Sequence, residues 1–240
     1  MSEMVDIRGM LVKRAKEIGV KLTAGQAQAF QTYMELLLDW NGKINLTAIT
    51  QPEEIVEKHF VDSLSLLQAC PIKQGARVVD VGTGAGFPGV PLKIVRPDIR
   101  HTLLDSLNKR LQFLGALCEA LQIDAARVHK RAEEAGLDKT MREGFDLVTA
   151  RAVAGFPTLC EYCIPLMKMK GYFVAMKGPS AAEELAAGQE ALRILGGDHG
   201  KLVAVEAFVA GDRNLLVVQK KRFTPKGYPR HGGTITKHPL

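Results

Sequence analysis

No stretch of this 240-residue chain approaches the ~20 consecutive apolar residues of a membrane-spanning helix, so no helical anchor is expected. The start, Met1-Ser2-Glu3, lacks the basic-then-apolar pattern of a secretory signal, and the protein is expected to be cytoplasmic. Cysteine is sparse. The four residues at 70, 118, 160 and 163 read as reduced thiols in that compartment. Cys160-Glu161-Tyr162-Cys163 is a close pair, yet no second such pair or paired histidine pattern completes a metal site. Phe156-Pro157-Thr158 already opens a helix before it, which is not the setting of a redox pair, so both cysteines are expected to be buried and structural. Internal repeats, low-complexity segments and an obvious Ser/His/Asp or Cys/His nucleophile set are also missing. A hydrophobic content of 46% excludes wholesale disorder and suits one large domain with a small addition.

Acid is missing from one region. Between Lys220 and Leu240 lie Lys220, Lys221, Arg222, Lys226, Arg230 and Lys237 with no acidic residue. These six cations equal the whole formal net charge of +6, which leaves residues 1–219 neutral. Pro225, Gly227, Pro229, Gly232 and Gly233 argue against a regular element there. Phe223 and Tyr228 sit among the cations, so the tail is expected to add nucleic-acid affinity through phosphate contacts and base stacking rather than to build a small-molecule pocket. The plainer alternatives are a solvated tail that aids solubility, or one that packs back through Tyr228 and Leu240.

What is present centres on Val78-Val79-Asp80-Val81-Gly82-Thr83-Gly84-Ala85-Gly86-Phe87-Pro88-Gly89. It reads as an apolar strand turning over glycines into a helix, a geometry that brings backbone N–H groups against a ligand. Gly84 to Gly89 fits G-x-G-x-x-G, with Asp105 about 20 residues on, which favours a nicotinamide oxidoreductase. The turn, however, starts at Gly82, two residues after Asp80. A carboxylate there suits the ammonium group of S-adenosylmethionine and repels a pyrophosphate.

The first third of the chain reads as helical, with Phe30, Tyr33, Met34, Leu37 and Leu38 on one stripe ended by Asn41-Gly42, and a further helix after Pro52. Apolar runs at 76–81, 100–104, 126–129, 145–149 and 171–176 then alternate with helical stretches at 88–95, 107–121, 156–168 and 180–195. That alternation means βαβ units and a parallel sheet. Lys201–Val209 and Asn214–Gln219 read as a closing antiparallel hairpin around Ala210-Gly211-Asp212-Arg213. The expected architecture is α/β, a class I S-adenosylmethionine-dependent methyltransferase with a Rossmann-like, mostly parallel sheet. Its divisions are an N-terminal helical extension (1–72), the methyltransferase domain (73–220) and a basic C-terminal tail (221–240).

In such sheets ligands sit beyond the carboxyl ends of the strands. The candidates there are Asp80 with Gly82, Gly84, Gly86 and Phe87, then Asp105-Ser106, whose carboxylate suits ribose hydroxyls or merely caps the next helix. Ala132 and Glu133 follow the third strand and are placed to bracket an adenine ring. Arg151 ends the fourth strand with no evident packing reason, and suits a methionyl carboxylate or a guanine edge. Lys109, Arg110 and Lys177 are candidates for RNA phosphate, or solvated ends. His59, on an apolar helix face, reads as a packed core residue.

Taken in order, Trp40-Asn41, Asn45-Leu46-Thr47, His59-Phe60-x-Asp62-Ser63, the segment Asp80–Gly89, Leu103-Leu104-Asp105-Ser106, Lys109-Arg110, Arg131-Ala132-Glu133-Glu134, Arg151-Ala152, Lys177-Gly178 and Tyr228-Pro229-Arg230 resemble one family over nearly the whole chain. It is the bacterial 16S rRNA guanine-N7 methyltransferase family, small subunit methyltransferase G, once called glucose-inhibited division protein B. The resemblance implies S-adenosylmethionine as methyl donor and N7 of guanosine 527 in 16S rRNA as acceptor. The substrate would be naked rRNA, the 30S subunit or an assembly intermediate, with no obligate protein partner evident. By position, Gly82, Phe87, Asp105, Ser106, Leu107, Ala132, Glu133 and Arg151 correspond to the family's cofactor contacts. Residues 136–143 look a little long, which bears on a surface loop. A non-catalytic RNA-binding protein on the same scaffold stays open on the strength of the basic tail.

Overall fold

A computed structural model describes residues 5–205 and 213–240. Helix α1 (Arg8–Glu17) leads into α2 (Ala24–Ile44), which is started by a Thr23/Gln26 capping box. The helix runs past Asn41-Gly42 to a left-handed Asn45 (φ 48°). Asn41 does not break it; its side-chain oxygen accepts from the N–H groups of Leu46 and Thr47 and so organises the exit loop. After Pro52 comes one interrupted helical run: α3 (Pro52–Ile55), a π-helical turn (Val56–Val61), α4 (Asp62–Ser65) and a 3₁₀ turn (Leu66–Gln68).

The α/β part then follows as β1 (Arg77–Val81), α5 (Gly89–Val95), β2 (Arg100–Asp105), α6 (Asn108–Ala120), β3 (Ala125–His129), α7 (Ala132–Leu137), β4 (Phe145–Arg151), α8 (Phe156–Cys163) and β5 (Met167–Lys177). It closes with α9 (Ala181–Ala187), α10 (Gln189–Leu195), β6 (Lys201–Ala204), β7 (Asn214–Gln219) and α11 (Gly232–Lys237). The stretch expected to be one helix at 180–195 divides at Gly188, where a Cβ would lie 2.5 Å from the Phe156 ring. Val205 aside, the remainder of the expected Lys201–Val209 strand and the turn at 210–212 lie outside the described residues.

The sheet order is β3-β2-β1-β4-β5-β7-β6, parallel from β3 through β5 and antiparallel at β7 and β6. The chain order reverses between β1 and β4, which puts the ligand crevice at their carboxyl ends. On one face, Phe30, Tyr33, Leu37 and Phe60 of the N-terminal helices share an apolar cluster with Ala85 and Phe87 of the glycine turn. On the other, α8 and α10 cover Val79, Val148 and Phe173, with Tyr228 and Leu240 packed against them.

The C-terminal segment is therefore docked on the sheet domain. Lys220 is fully buried, its Nζ donating to Ile164 O at 2.7 Å and Thr224 Oγ1 at 2.6 Å and pairing with Glu143. Residues 136–143 form the docking surface rather than a free loop. Gly136 lies against Pro229, and Arg142 donates to the carbonyls of Tyr228 and Thr224. The expectation that prolines and glycines bar a regular element fails at α11, because long-range packing supplies what local propensity lacks.

Candidate active site

The glycine turn is held from below. Asp80 has no exposed surface, and its carboxylate accepts from Thr83 Oγ1 (2.6 Å), Thr149 Oγ1 (2.9 Å) and Gly89 N (3.1 Å). Burial pushes its pKa up to about 6, partly offset by those donors. Asp80 thus pegs the turn to β4 and the head of α5, and the expectation that it faces a ligand ammonium needs correcting. Gly86 is likewise a packing residue, since a Cβ there would lie 2.7 Å from the Tyr33 hydroxyl and 2.8 Å from Val90. Tyr33 donates to Ala85 O, which fastens α2 over the turn.

Gly82 and Gly84 stay half-exposed with φ of 66° and 59°, which glycine alone adopts without strain. Gly84 N donates to Asp105 Oδ2 at 2.9 Å, and Leu107 N to Asp105 Oδ1 at 2.9 Å. Arg110 Nη1 also meets Oδ2, at 3.5 Å, so Oδ1 is the oxygen that keeps acceptor capacity for a hydroxyl. A cavity of ≈ 460 Å³ opens beside this carboxylate. Of the residues singled out in the sequence, it brings together Gly82, Asp105, Ser106, Ala132 and Glu133. Leu107 is exposed and not part of the lining, so its candidacy rests on its backbone at the rim.

Phe87 and Arg151 lie elsewhere. Phe87 is 5% exposed and stacks between Tyr33 and His59, at centroid distances of 5.2 and 4.5 Å, so it does not line the cavity beside Asp105. Above its ring, at 5.0 Å, rests the guanidinium of Arg151. Arg151 does have a packing reason at the end of β4. It donates to Asp62 Oδ2 (2.8 Å), Lys58 O (2.9 Å) and His59 Nδ1 (3.2 Å), all on the π-helical turn or at its end. Arg213, beside the start of β7, reaches the same carboxylate, with Nη2 2.9 Å from Asp62 Oδ2.

The next residue, Ala152, has φ of 56°, a left-handed conformation costly for a residue with a Cβ and common at functional sites. It turns the chain so that Val153 seats on Gly82, where a Cβ would meet Val153 at 2.6 Å. A second cavity of ≈ 500 Å³ opens on this side. Lys58, His59, Arg151, Lys177 and Arg213 line it, and no acidic residue does among the described residues. Ala152 lines the second cavity and Val153 the first, so the two are neighbours across one residue step.

His59 is neutral here. Its Nδ1 meets Arg151 Nη2 at 3.2 Å and Lys58 O at 3.1 Å, and its Nε2 lies 2.8 Å from Thr47 Oγ1. Burial and the Arg151 charge lower its pKa to about 4. Lys177 donates to Ala154 O and pairs with Glu184, whereas Lys109 is solvent-exposed. Cys160 and Cys163 are fully buried in α8, which raises both thiols. Among the described residues no His, Cys, Asp or Glu group has the arrangement of a metal site, and no helix is long and apolar enough to cross a membrane.

Sequence reasoning misses three contributors: Asp62, Arg213 and Thr236. An acid within the apolar face around His59, Phe60 and Leu64 is a usable signal for the first. Arg213 and Thr236 offer none, because their partners are far away in the chain.

The family model of rRNA small subunit methyltransferase G matches residues 26–216. The chain belongs to this family. It is 44% identical to the ribosomal RNA small subunit methyltransferase G of Desulforamulus reducens over 99% of this chain and 100% of that one. With the protein of that name from Alkaliphilus metalliredigens it shares 46% identity, covering 94% and 95%. In structure it resembles an S-adenosylmethionine-dependent O-methyltransferase of Thermotoga maritima (TM-score 0.54, 14% identity, 79% of this chain and 72% of that one). Precorrin-6y C5,15-methyltransferase of Geobacter metallireducens gives a TM-score of 0.52 at 16% identity, covering 75% and 92%. The fold is thus the class I methyltransferase fold anticipated from the strand–helix alternation and the closing hairpin, and the dinucleotide reading of G-x-G-x-x-G falls away.

Proposed function

We propose that this chain transfers a methyl group from S-adenosylmethionine to N7 of a guanosine in 16S rRNA, at the family's position 527, on the small subunit or its assembly intermediate in the cytoplasm. The observation that carries the reading is the pair of adjoining cavities at the switch point. One is built on the glycine turn and Asp105, the other is lined by cations, and a single left-handed residue joins them.

The first cavity fits the donor by its chemistry. Asp105 offers an acceptor for a ribose hydroxyl, and Gly82, with Val153 seated on it, lines the cavity together with Ala132 and Glu133. When bound, the donor supplies an electrophilic methyl carbon on a sulfonium. The acceptor's N7 lone pair is free at neutral pH and no proton leaves it, so a general base is unnecessary. A neutral His59 whose Nδ1 already meets Arg151 agrees with that.

The protein's task is placement, which can account for roughly 7–11 kcal/mol of barrier. Arginine commonly grips guanine through both O6 and N7. Here N7 must stay open to the methyl group, so Arg151 is suited to O6 or phosphate. Asp62 fixes its direction.

The test is to supply labelled donor with deproteinised 16S rRNA and with 30S subunits and map the label. Label on one guanine N7 is expected. Label on another atom, or none on either substrate, would overturn the proposal and return the scaffold to a non-catalytic RNA-binding role.

A further inference from the structure

We propose that Thr236, carried on the C-terminal helix, is a further binding residue for the adenosine end of the methyl donor, held there by the Arg230–Glu161 pair. This rests on the reading that the glycine-turn cavity takes S-adenosylmethionine. Thr236 lines that cavity together with Ala132 and Glu133, although it lies far along the chain from both.

Six residues are too few for a helix to persist unaided, so α11 depends on what anchors it. Glu161 on α8 is fully buried, and its carboxylate takes Arg230 N at 2.8 Å, Nε at 2.9 Å and Nη2 at 2.7 Å. Arg230 Nη2 also donates to His238 O, beyond the far end of α11, so one guanidinium ties both flanks of the helix. Ile235 is buried beneath it.

The register of α11 is set against the cavity wall itself. A Cβ on Gly232 would run into Glu133 Oε1, so glycine is what lets the helix close on that side chain. Glu133 is gripped from the other side by Arg131 Nε at 2.7 Å. Thr236 Oγ1 donates to Gly232 O at 3.0 Å, which leaves the hydroxyl oxygen able to accept one bond. An exocyclic amine, as on adenine, offers the matching donor.

The experiment uses the full chain, titrated calorimetrically with S-adenosylmethionine, as wild type, Thr236→Trp, Thr236→Val and Glu161→Gln. Thr236 is exposed, so the Thr236→Trp variant should fold as the wild type does while its indole fills the cavity; we expect donor affinity to fall about tenfold or more. KM for the donor should rise while KM for 30S subunits stays put, a split that a general loss of structure would not produce. The Thr236→Val variant should lose several-fold, and Glu161→Gln should weaken the donor by releasing α11. Wild-type donor affinity in the Thr236→Trp variant, or an equal loss of both affinities, overturns the inference. Absence of donor binding by the wild type overturns the reading beneath it as well.

Discussion

Arg151 and Asp62, 89 residues apart, meet at 2.8 Å and tie the carboxyl end of β4 to the π-helical turn. Asp62 is fully buried, and Arg213 shares its carboxylate, so two guanidinium groups converge on one anion. The consequences of removing each partner are therefore unequal. Without Arg151, Asp62 keeps a cation; without Asp62, two cations face each other under cover.

Arg151→Ala should consequently fold, and its defect should appear in catalysis. We expect methyl transfer to drop at least tenfold, about 1.4 kcal/mol in transition-state stabilisation. Single-turnover rates on 30S subunits measure this directly, and a near-normal rate would reduce Arg151 to a structural tie.

Asp62→Ala is expected to fail differently. Removing one member of a buried ion pair costs about 3–5 kcal/mol, because the remaining charge is left uncompensated. Thermal unfolding should show a large fall in Tm, and a fall comparable to that of Arg151→Ala would mean the pair is solvated.

The glycines separate in the same way. Gly84 has φ of 59° and a built Cβ would meet only Gly82 O, at 3.9 Å, whereas Gly86 is closed in by Tyr33, Val90 and Leu114. Gly84→Ala should lose about 1–2 kcal/mol from its left-handed backbone, and lose donor affinity. Gly86→Ala should instead lose stability by lifting α2 from the turn. Calorimetry and denaturant unfolding on both variants test the contrast, and the reverse order of effects would move the site.

His59 gives a pH signature with a definite sign. Unfolded, it takes up a proton as pH falls through 6.5; folded, it resists until about 4. Its contribution to stability is thus present above pH 6.5 and is lost as pH falls toward 4, by at most about 1.4 kcal/mol per unit. Asp80, raised to about 6, runs oppositely, since protonating it favours the fold between pH 4 and 6. The His59 effect must therefore be read as the difference between wild type and His59→Gln. That difference should shrink as pH drops from 6.5 to 4, and a constant difference would show that His59 titrates alike in both states.

Much of the site is legible in the order of the residues alone. Strand ends show in sequence because an apolar run must stop where the chain leaves the sheet, and Gly82 and Asp105 sit at such stops, with Glu133 four residues beyond the end of β3. Asp80 stands out too, but its role does not, because nothing local says whether a carboxylate beside a glycine turn faces ligand or the hydroxyls of Thr83 and Thr149. Phe87 is alike in this, since covering it requires α2 to cross overhead. The left-handed Ala152 and the Asp62–Arg213 pairing depend on contacts between distant segments, for which periodicity carries no signal.

The C-terminal segment tests the last of these points. Its charge argues for a mobile RNA-binding arm, but Lys220 is buried and Arg230 is spent on Glu161, so those cations are structural. Truncation after Gln219 would remove Lys220, Thr224 and the whole of α11. It should lower Tm and weaken the methyl donor, unlike the loss of a solvated tail. Lys221, Lys226 and Lys237 remain exposed. Replacing these three with glutamine should leave Tm unchanged and flatten the salt dependence of RNA binding, each lost phosphate contact taking about 0.7–0.9 from the log–log slope. A triple variant with the wild-type slope would show that this face of the protein does not meet RNA. A truncated chain with wild-type Tm would show that the buried Lys220 and Arg230 contribute nothing to the fold.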